Sequence, residues 1–119
     1  MPLSVLLTDD SRIARKMIRA VLPDRPLSIR EACGGNECLA LYQDERPDLV
    51  ILDLTMPDIN GLEVLERLRE LDPDARVVIV TADIQSTNQT RARELGAINV
   101  LEKPPKPRDI ADVIEGVAA

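Results

Sequence analysis

Leu49-Val50-Ile51-Leu52-Asp53 is a run of four apolar residues closed by a carboxylate. A run this short, with β-branched members and no polar interruption, is the pattern of a strand buried on both faces. Three further runs repeat it: Val5-Leu6-Leu7-Thr8 before Asp9-Asp10, Val77-Val78-Ile79-Val80 before Thr81, and Ile98-Asn99-Val100-Leu101-Glu102 before Lys103. Strands covered on both sides belong to parallel sheets whose connections are helices. In an open sheet of that kind the strand C-termini share one edge, and ligands bind in the crevice there. Asp9, Asp10, Asp53, Thr81 and Lys103 are therefore expected to converge on one site.

Working outward from these runs, strands are expected at Ser4–Thr8, Leu49–Leu52, Arg76–Val80 and Ile98–Leu101. Leu27–Ala32 alternates apolar and polar residues and reads as a further strand at an edge. Helices are expected at about Ser11–Leu22, with Ser11 or Asp10 as N-cap, and at Asn36–Glu45 after the Gly34-Gly35 break. The second of these shows Cys38, Leu41 and Tyr42 on one face. A third helix, Leu62–Leu71, turns Leu65 and Leu68 to the sheet, and a polar fourth, Ser86–Leu95, stops at Gly96. The last begins near Pro107 and places Ile110, Val113, Ile114 and Val117 at i, i+3, i+4 and i+7. Five strands alternating with five helices predict an α/β fold, a doubly wound parallel sheet with right-handed crossovers, as one domain over residues 1–119.

Composition narrows the function. The chain has 119 residues, 45% hydrophobic and 30% charged, which fits a globular protein. Its net charge of −6, with no basic cluster, argues against nucleic-acid binding by this chain. No apolar stretch reaches membrane-span length and no basic leader precedes one, so no membrane partner is expected and the cytoplasm is the expected compartment. There is no histidine, which excludes Ser-His and Cys-His nucleophile pairs and His-ligated zinc. Cys33 and Cys38 match neither a redox pair nor a zinc clip and read as small buried or half-buried residues. Tyr42 is the only aromatic residue, so the core has to be aliphatic.

The polar strand ends suggest a chemistry. An acidic pair before a helix also reads as an N-cap and dipole partner, and a lone Lys103 as a solvated strand-end charge. Asp53 is different, because a carboxylate that continues an apolar strand needs a partner. Carboxylates about 4 Å apart repel by roughly 4 kcal/mol at an effective dielectric of 20. A hard cation relieves that repulsion, and Mg2+ suits oxygen ligands while keeping several waters. Lys103 and Thr81 add an ammonium and a hydroxyl, both able to bind phosphoryl oxygens. Carboxylate, Mg2+, lysine and hydroxyl around one point suit phosphoryl transfer to an aspartate nucleophile.

From Val5 to Val117 the chain resembles a response-regulator receiver domain of two-component systems. The resemblance is carried by Asp9-Asp10, by Asp53-Leu54-Thr55-Met56-Pro57-Asp58-Ile59-Asn60-Gly61, by Thr81-Ala82 and by Lys103-Pro104, in that order and spacing. It implies a flavodoxin-like sheet with strand order 2-1-3-4-5. It implies Asp53 as phosphoacceptor, and Mg2+ held by Asp10, Asp53 and the Thr55 backbone carbonyl, with Asp9 acting through water. Lys103 would contact the phosphoryl group, Thr81 would swing toward it, and the Lys103-Pro104 bond would be cis. Thr55 and Asp83 would tune the lifetime of the aspartyl phosphate. The implied partners are a sensor histidine kinase, a target protein whose identity is unknown, and a dedicated phosphatase of the kind that serves chemotaxis receivers, which the Thr81-Ala82-Asp83-Ile84-Gln85 stretch resembles. A chain ending just after its last helix fits a stand-alone receiver or one cut from a longer regulator.

One position departs from that pattern. The family usually carries Tyr or Phe three residues before the lysine, and here that residue is Val100. The signal is then expected to emerge mainly at the start of the fourth helix, where Asp83 to Thr90 lacks an apolar stripe. Two other functions remain open at this point: a small Mg2+-dependent phosphatase of the dehalogenase type, and a receiver that binds partners without phosphorylation.

Overall fold

The computed structural model describes residues 2–83 and 85–119. Ile84, part of the stretch expected to carry the signal, lies outside the described residues. Each apolar run becomes a strand: β1 (Leu3–Thr8), β2 (Leu27–Ala32), β3 (Leu49–Leu52), β4 (Val77–Thr81) and β5 (Asn99–Glu102). Between and after them lie α1 (Arg12–Val21), α2 (Gly35–Asp44), α3 (Gly61–Leu71), α4 (Ser86–Glu94) and α5 (Pro107–Ala118). All strand pairs are parallel and the sheet order is β2-β1-β3-β4-β5, as expected.

Strand pleat divides the core in two. Leu6, Val50, Leu52, Val77 and Ile79 meet Cys38, Tyr42, Val64, Leu65, Leu68 and Ala92 of α2, α3 and α4. The alternate residues, Val5, Leu7, Leu49, Ile51, Val78 and Val80, meet Ile18 of α1 and Ile110, Ile114 and Val117 of α5. All four residues of β3 are fully buried, and each contributes about 2 kcal/mol of transfer free energy. Tyr42 is buried as well, and its phenol donates to Asp72 Oδ2 at 2.7 Å.

The differences from expectation are local. β5 is not buried on both faces: only Leu101 is buried, Val100 is half-buried, and Ile98 precedes the strand and is 47% exposed. The reason is its place at the sheet edge, where only one neighbour, β4, covers it. Of the two candidate caps for α1, Ser11 is the one used, its hydroxyl accepting from the Ala14 amide at 3.1 Å. α2 begins one residue earlier than expected, at Gly35. Cys38 is buried, and that burial pushes its thiol up to about 11, whereas Cys33 is exposed. The Lys103-Pro104 bond, by contrast, is cis as the resemblance implies.

Register places the site. Thr8 pairs with Leu52, so Asp9 and Asp53 leave adjacent strands side by side. The Asp53 amide donates to Thr8 O at 3.1 Å, and the Lys103 amide donates to Thr81 O at 2.9 Å. Glycine is required where α3 starts: a Cβ on Gly61 would lie 2.3 Å from Asp53 O, so only a hydrogen there lets α3 begin against the end of β3.

Candidate functional site

The C-terminal edge of the sheet gathers the polar strand ends. One carboxylate oxygen from each of Asp9, Asp10 and Asp53 lies within 4.8 Å of the others. Asp9 and Asp53 are buried, 1% and 5% exposed, while Asp10 faces solvent. The Lys103 ammonium forms ion pairs with Asp9 Oδ2 and, at 3.1 Å, with Asp53 Oδ2. Partial burial lowers the Lys103 pKa, but the hydrogen bond it donates to Asp9 and the charges of Asp53 and Asp9 outweigh it, leaving the ammonium above the ordinary lysine value.

The four oxygens of the two buried carboxylates are not equivalent. Asp9 Oδ1 accepts from the Ser11 amide at 2.9 Å, and Asp9 Oδ2 meets Lys103. Asp53 Oδ2 is also taken by Lys103, but Asp53 Oδ1 is buried with no hydrogen-bond partner among the described residues. A buried, unpaired carboxylate oxygen is costly, and such an atom at a strand end points to a ligand or a reaction.

Thr81 ends β4 on the side of the sheet that faces α3 and α4, fully buried. Its hydroxyl accepts from the Asp83 amide at 3.1 Å, so it is engaged with the loop before α4 rather than with the carboxylates. Asp83 in turn organises that loop. Its side chain accepts from the Gln85 amide at 2.9 Å and from Asn88 Nδ2 at 2.7 Å, and its carbonyl accepts from Gln89 Nε2 at 3.3 Å. Thr55 is exposed on the β3–α3 loop between the buried side chains of Leu54 and Met56. A cleft of about 200 Å³ between this loop and α4 is lined by Thr55, Asp58, Asp83 and Asn88 among others.

Two supporting residues escaped the sequence reading. Arg15 Nη1 donates to Asp9 O at 2.6 Å while its Nε pairs with Glu31 Oε1 at 2.8 Å, bracing the acidic turn against β2. Asp58 accepts from the first two amides of α2, Gly35 and Asn36, at 3.1 and 2.9 Å. The Asp58 contact spans 22 and 23 residues of sequence, whereas Arg15 reaches six residues back to Asp9 and across to the next strand. The one signal for either was the Asp58 position within a recognised loop.

Over residues 5–115 the chain matches the model of the response regulator receiver domain. It is 28% identical over 115 residues to the chemotaxis protein CheY of Thermotoga maritima, covering 96% of each chain. To the response regulator MprA of Mycolicibacterium vanbaalenii it is 36% identical over 104 residues, which is 87% of this chain but only 45% of that one. A crystal structure of the CheX-CheY-BeF3-Mg+2 complex from Borrelia burgdorferi has a TM-score of 0.90 at 26% identity, covering 100% of this chain and 91% of that one.

Proposed function

This chain belongs to the response regulator receiver domain family, a family of phospho-accepting signalling switches, and on that premise we propose that its phosphoacceptor is Asp53. The observation that carries the assignment is Asp53 Oδ1, a buried carboxylate oxygen left unpaired while its twin is held by Lys103. That oxygen is the available nucleophile. Attack on phosphorus forms an acyl phosphate at Asp53 and breaks the phosphorus–nitrogen bond of a phosphohistidine, the imidazole leaving on a partner histidine kinase. A small acyl phosphate donor would react in the same way, with acetate leaving.

The donor set fits Mg2+: three carboxylates, oxygen ligands only, one of them exposed so that waters can complete the shell. Asp10, Asp53 and the Thr55 carbonyl would hold the ion. Asp9, whose oxygens are committed to Ser11 and Lys103, would act through water. Bound there, Mg2+ would neutralise charge on the transferring phosphoryl oxygens. Lys103, already on Asp53 Oδ2, is placed to pair with a phosphoryl oxygen.

Thr81 would carry the signal outward. To donate to a phosphoryl oxygen, its hydroxyl has to give up the Asp83 amide, and Asp83 is the residue that holds the start of α4. No aromatic partner shares this movement. Val100 packs half-buried on the core beneath α4, and Tyr42 is committed to Asp72. The output is therefore a rearranged α4 start that alters contacts with a target protein or with a phosphatase that removes the phosphoryl group. Among the described residues no helix is long and apolar enough to cross a membrane.

Incubation with acetyl phosphate and Mg2+, followed by intact-mass measurement, tests this function. A single phospho-adduct that needs Mg2+ and is absent in Asp53→Asn is expected. An unmodified chain would leave phosphorylation-independent binding, and steady turnover of many phosphate esters would indicate a phosphatase.

A further inference from the structure

On the proposed reading of the Mg2+ site, the β3–α3 loop presents one backbone atom, the Thr55 carbonyl, to the acidic cluster. Its ends are fixed: Leu54 is buried, the Gly61 amide donates to Leu54 O at 2.9 Å, and Asn60 Oδ1 caps α3 through the Leu62 amide at 2.7 Å. Among the described residues, the span between, Thr55 to Ile59, has one polar fastening to another element. Asp58 Oδ1 and Oδ2 accept from Gly35 N and Asn36 N, across 23 and 22 residues of sequence. These are the first amides of α2, whose own N-cap, Gly34, has no side chain to receive them.

Both partners are shaped for this contact. A Cβ on Gly34 would lie 2.9 Å from Asp58 Oδ2, and a Cβ on Gly35 would lie 2.4 Å from Ile59 Cγ1. Two glycines thus leave room for the loop to sit on the helix end. A carboxylate accepting from helix N-terminal amides is a charge-assisted contact, favoured by the helix dipole. In keeping with this, the hydrogen bonds from Asn36, Gly35 and Ile59 hold the Asp58 carboxyl below the usual aspartate value.

We infer that Asp58 is a positioning residue: by fastening the β3–α3 loop to the N-terminus of α2, it sets the Thr55 carbonyl where Mg2+ needs a ligand. The inference rests on the proposed reading of Asp9, Asp10, Asp53 and Thr55 as the Mg2+ site. α2 makes a suitable anchor, because Cys38 and Tyr42 bury it against the sheet. Arg15 braces the Asp9 turn from the other side. Two of the ligand-bearing segments are in this way held by residues that do not touch the ion.

Mg2+ titration by calorimetry on the intact chain separates the alternatives. Asp58→Ala should weaken Mg2+ binding about tenfold, the lower end of what loss of an outer partner costs a metal site. Asp58→Asn keeps an acceptor for only one of the two amides, since each takes a different carboxylate oxygen, and should weaken Mg2+ binding less than Asp58→Ala. Gly34→Ala keeps the Asp58 charge but crowds its carboxylate, at a φ of −171° that any residue adopts, and should weaken Mg2+ binding as well. At saturating Mg2+, labling of Asp58→Ala by acetyl phosphate should recover toward the wild-type rate. Equal weakening in the Asn and Ala variants would overturn the inference in favour of a simple charge effect. A lowered melting temperature with unchanged Mg2+ affinity would overturn it in favour of a helix cap alone. A wild-type chain that takes up no Mg2+ would overturn the reading of the acidic site itself.

Discussion

Lys103 holds two buried carboxylates at once, and its replacement is the most informative single change at the residue scale. Removing one partner of a buried pair strands the other charge, a cost of 3–5 kcal/mol when burial is complete; with the Lys103 side chain 21% exposed, about 2 kcal/mol is expected for Lys103→Ala. Urea denaturation measures it, and saturating Mg2+ should restore part of the loss by neutralising the same carboxylates. The pH dependence has a definite sign. The folded-state pKa of Lys103 is raised, so its contribution is complete below the ordinary lysine value of 10.5 and fades as pH rises through the higher folded value. Lys103→Ala should flatten the alkaline limb of the stability profile. Asp58 has the opposite sign: its lowered pKa makes its contribution fade as pH falls below the ordinary aspartate value of 3.8, and Asp58→Asn should flatten that limb.

At the scale of elements, α4 stands apart. Of its nine residues only Ala92 is buried, and its first turn is held by the Asp83 contacts rather than by packing. Elements with few buried apolar contacts open at low free-energy cost. Amide exchange of Gln85 through Ala92 should accelerate on phosphorylation, and also in unphosphorylated Asp83→Ala. Unchanged protection in both would refute an output through α4. The elements also differ in how legible they were. β1, β3 and β4 could be read directly because burial on both faces leaves an unbroken apolar run. β5 shared the apolar pattern but sits at an edge, and a run of residues does not show how many neighbours will cover it. The roles of Arg15 and Asp58 were not readable: the Asp58 contact depends on how two distant elements approach, and the Arg15 contact on which neighbouring acceptors one long side chain reaches.

For the whole molecule, parallel register brings residues from four strand ends to one edge, and that convergence was visible in the sequence because each strand ends on its polar residue. It also links the site to global stability. A ligand that binds only the folded chain stabilises it by RT ln(1 + [L]/Kd), about 2.7 kcal/mol at a hundredfold excess over Kd. Mg2+ should therefore raise the melting temperature of the wild-type chain and have little effect on Asp53→Asn combined with Asp10→Asn. The central claim is narrower, that one oxygen of one residue takes the phosphoryl group. Borohydride reduces an acyl phosphate to the alcohol, converting a phosphorylated aspartate to homoserine that peptide mass mapping can locate. After treatment with acetyl phosphate and Mg2+, homoserine should replace aspartate at residue 53 and nowhere else; homoserine at residue 9 or 10, or none at all, would contradict it.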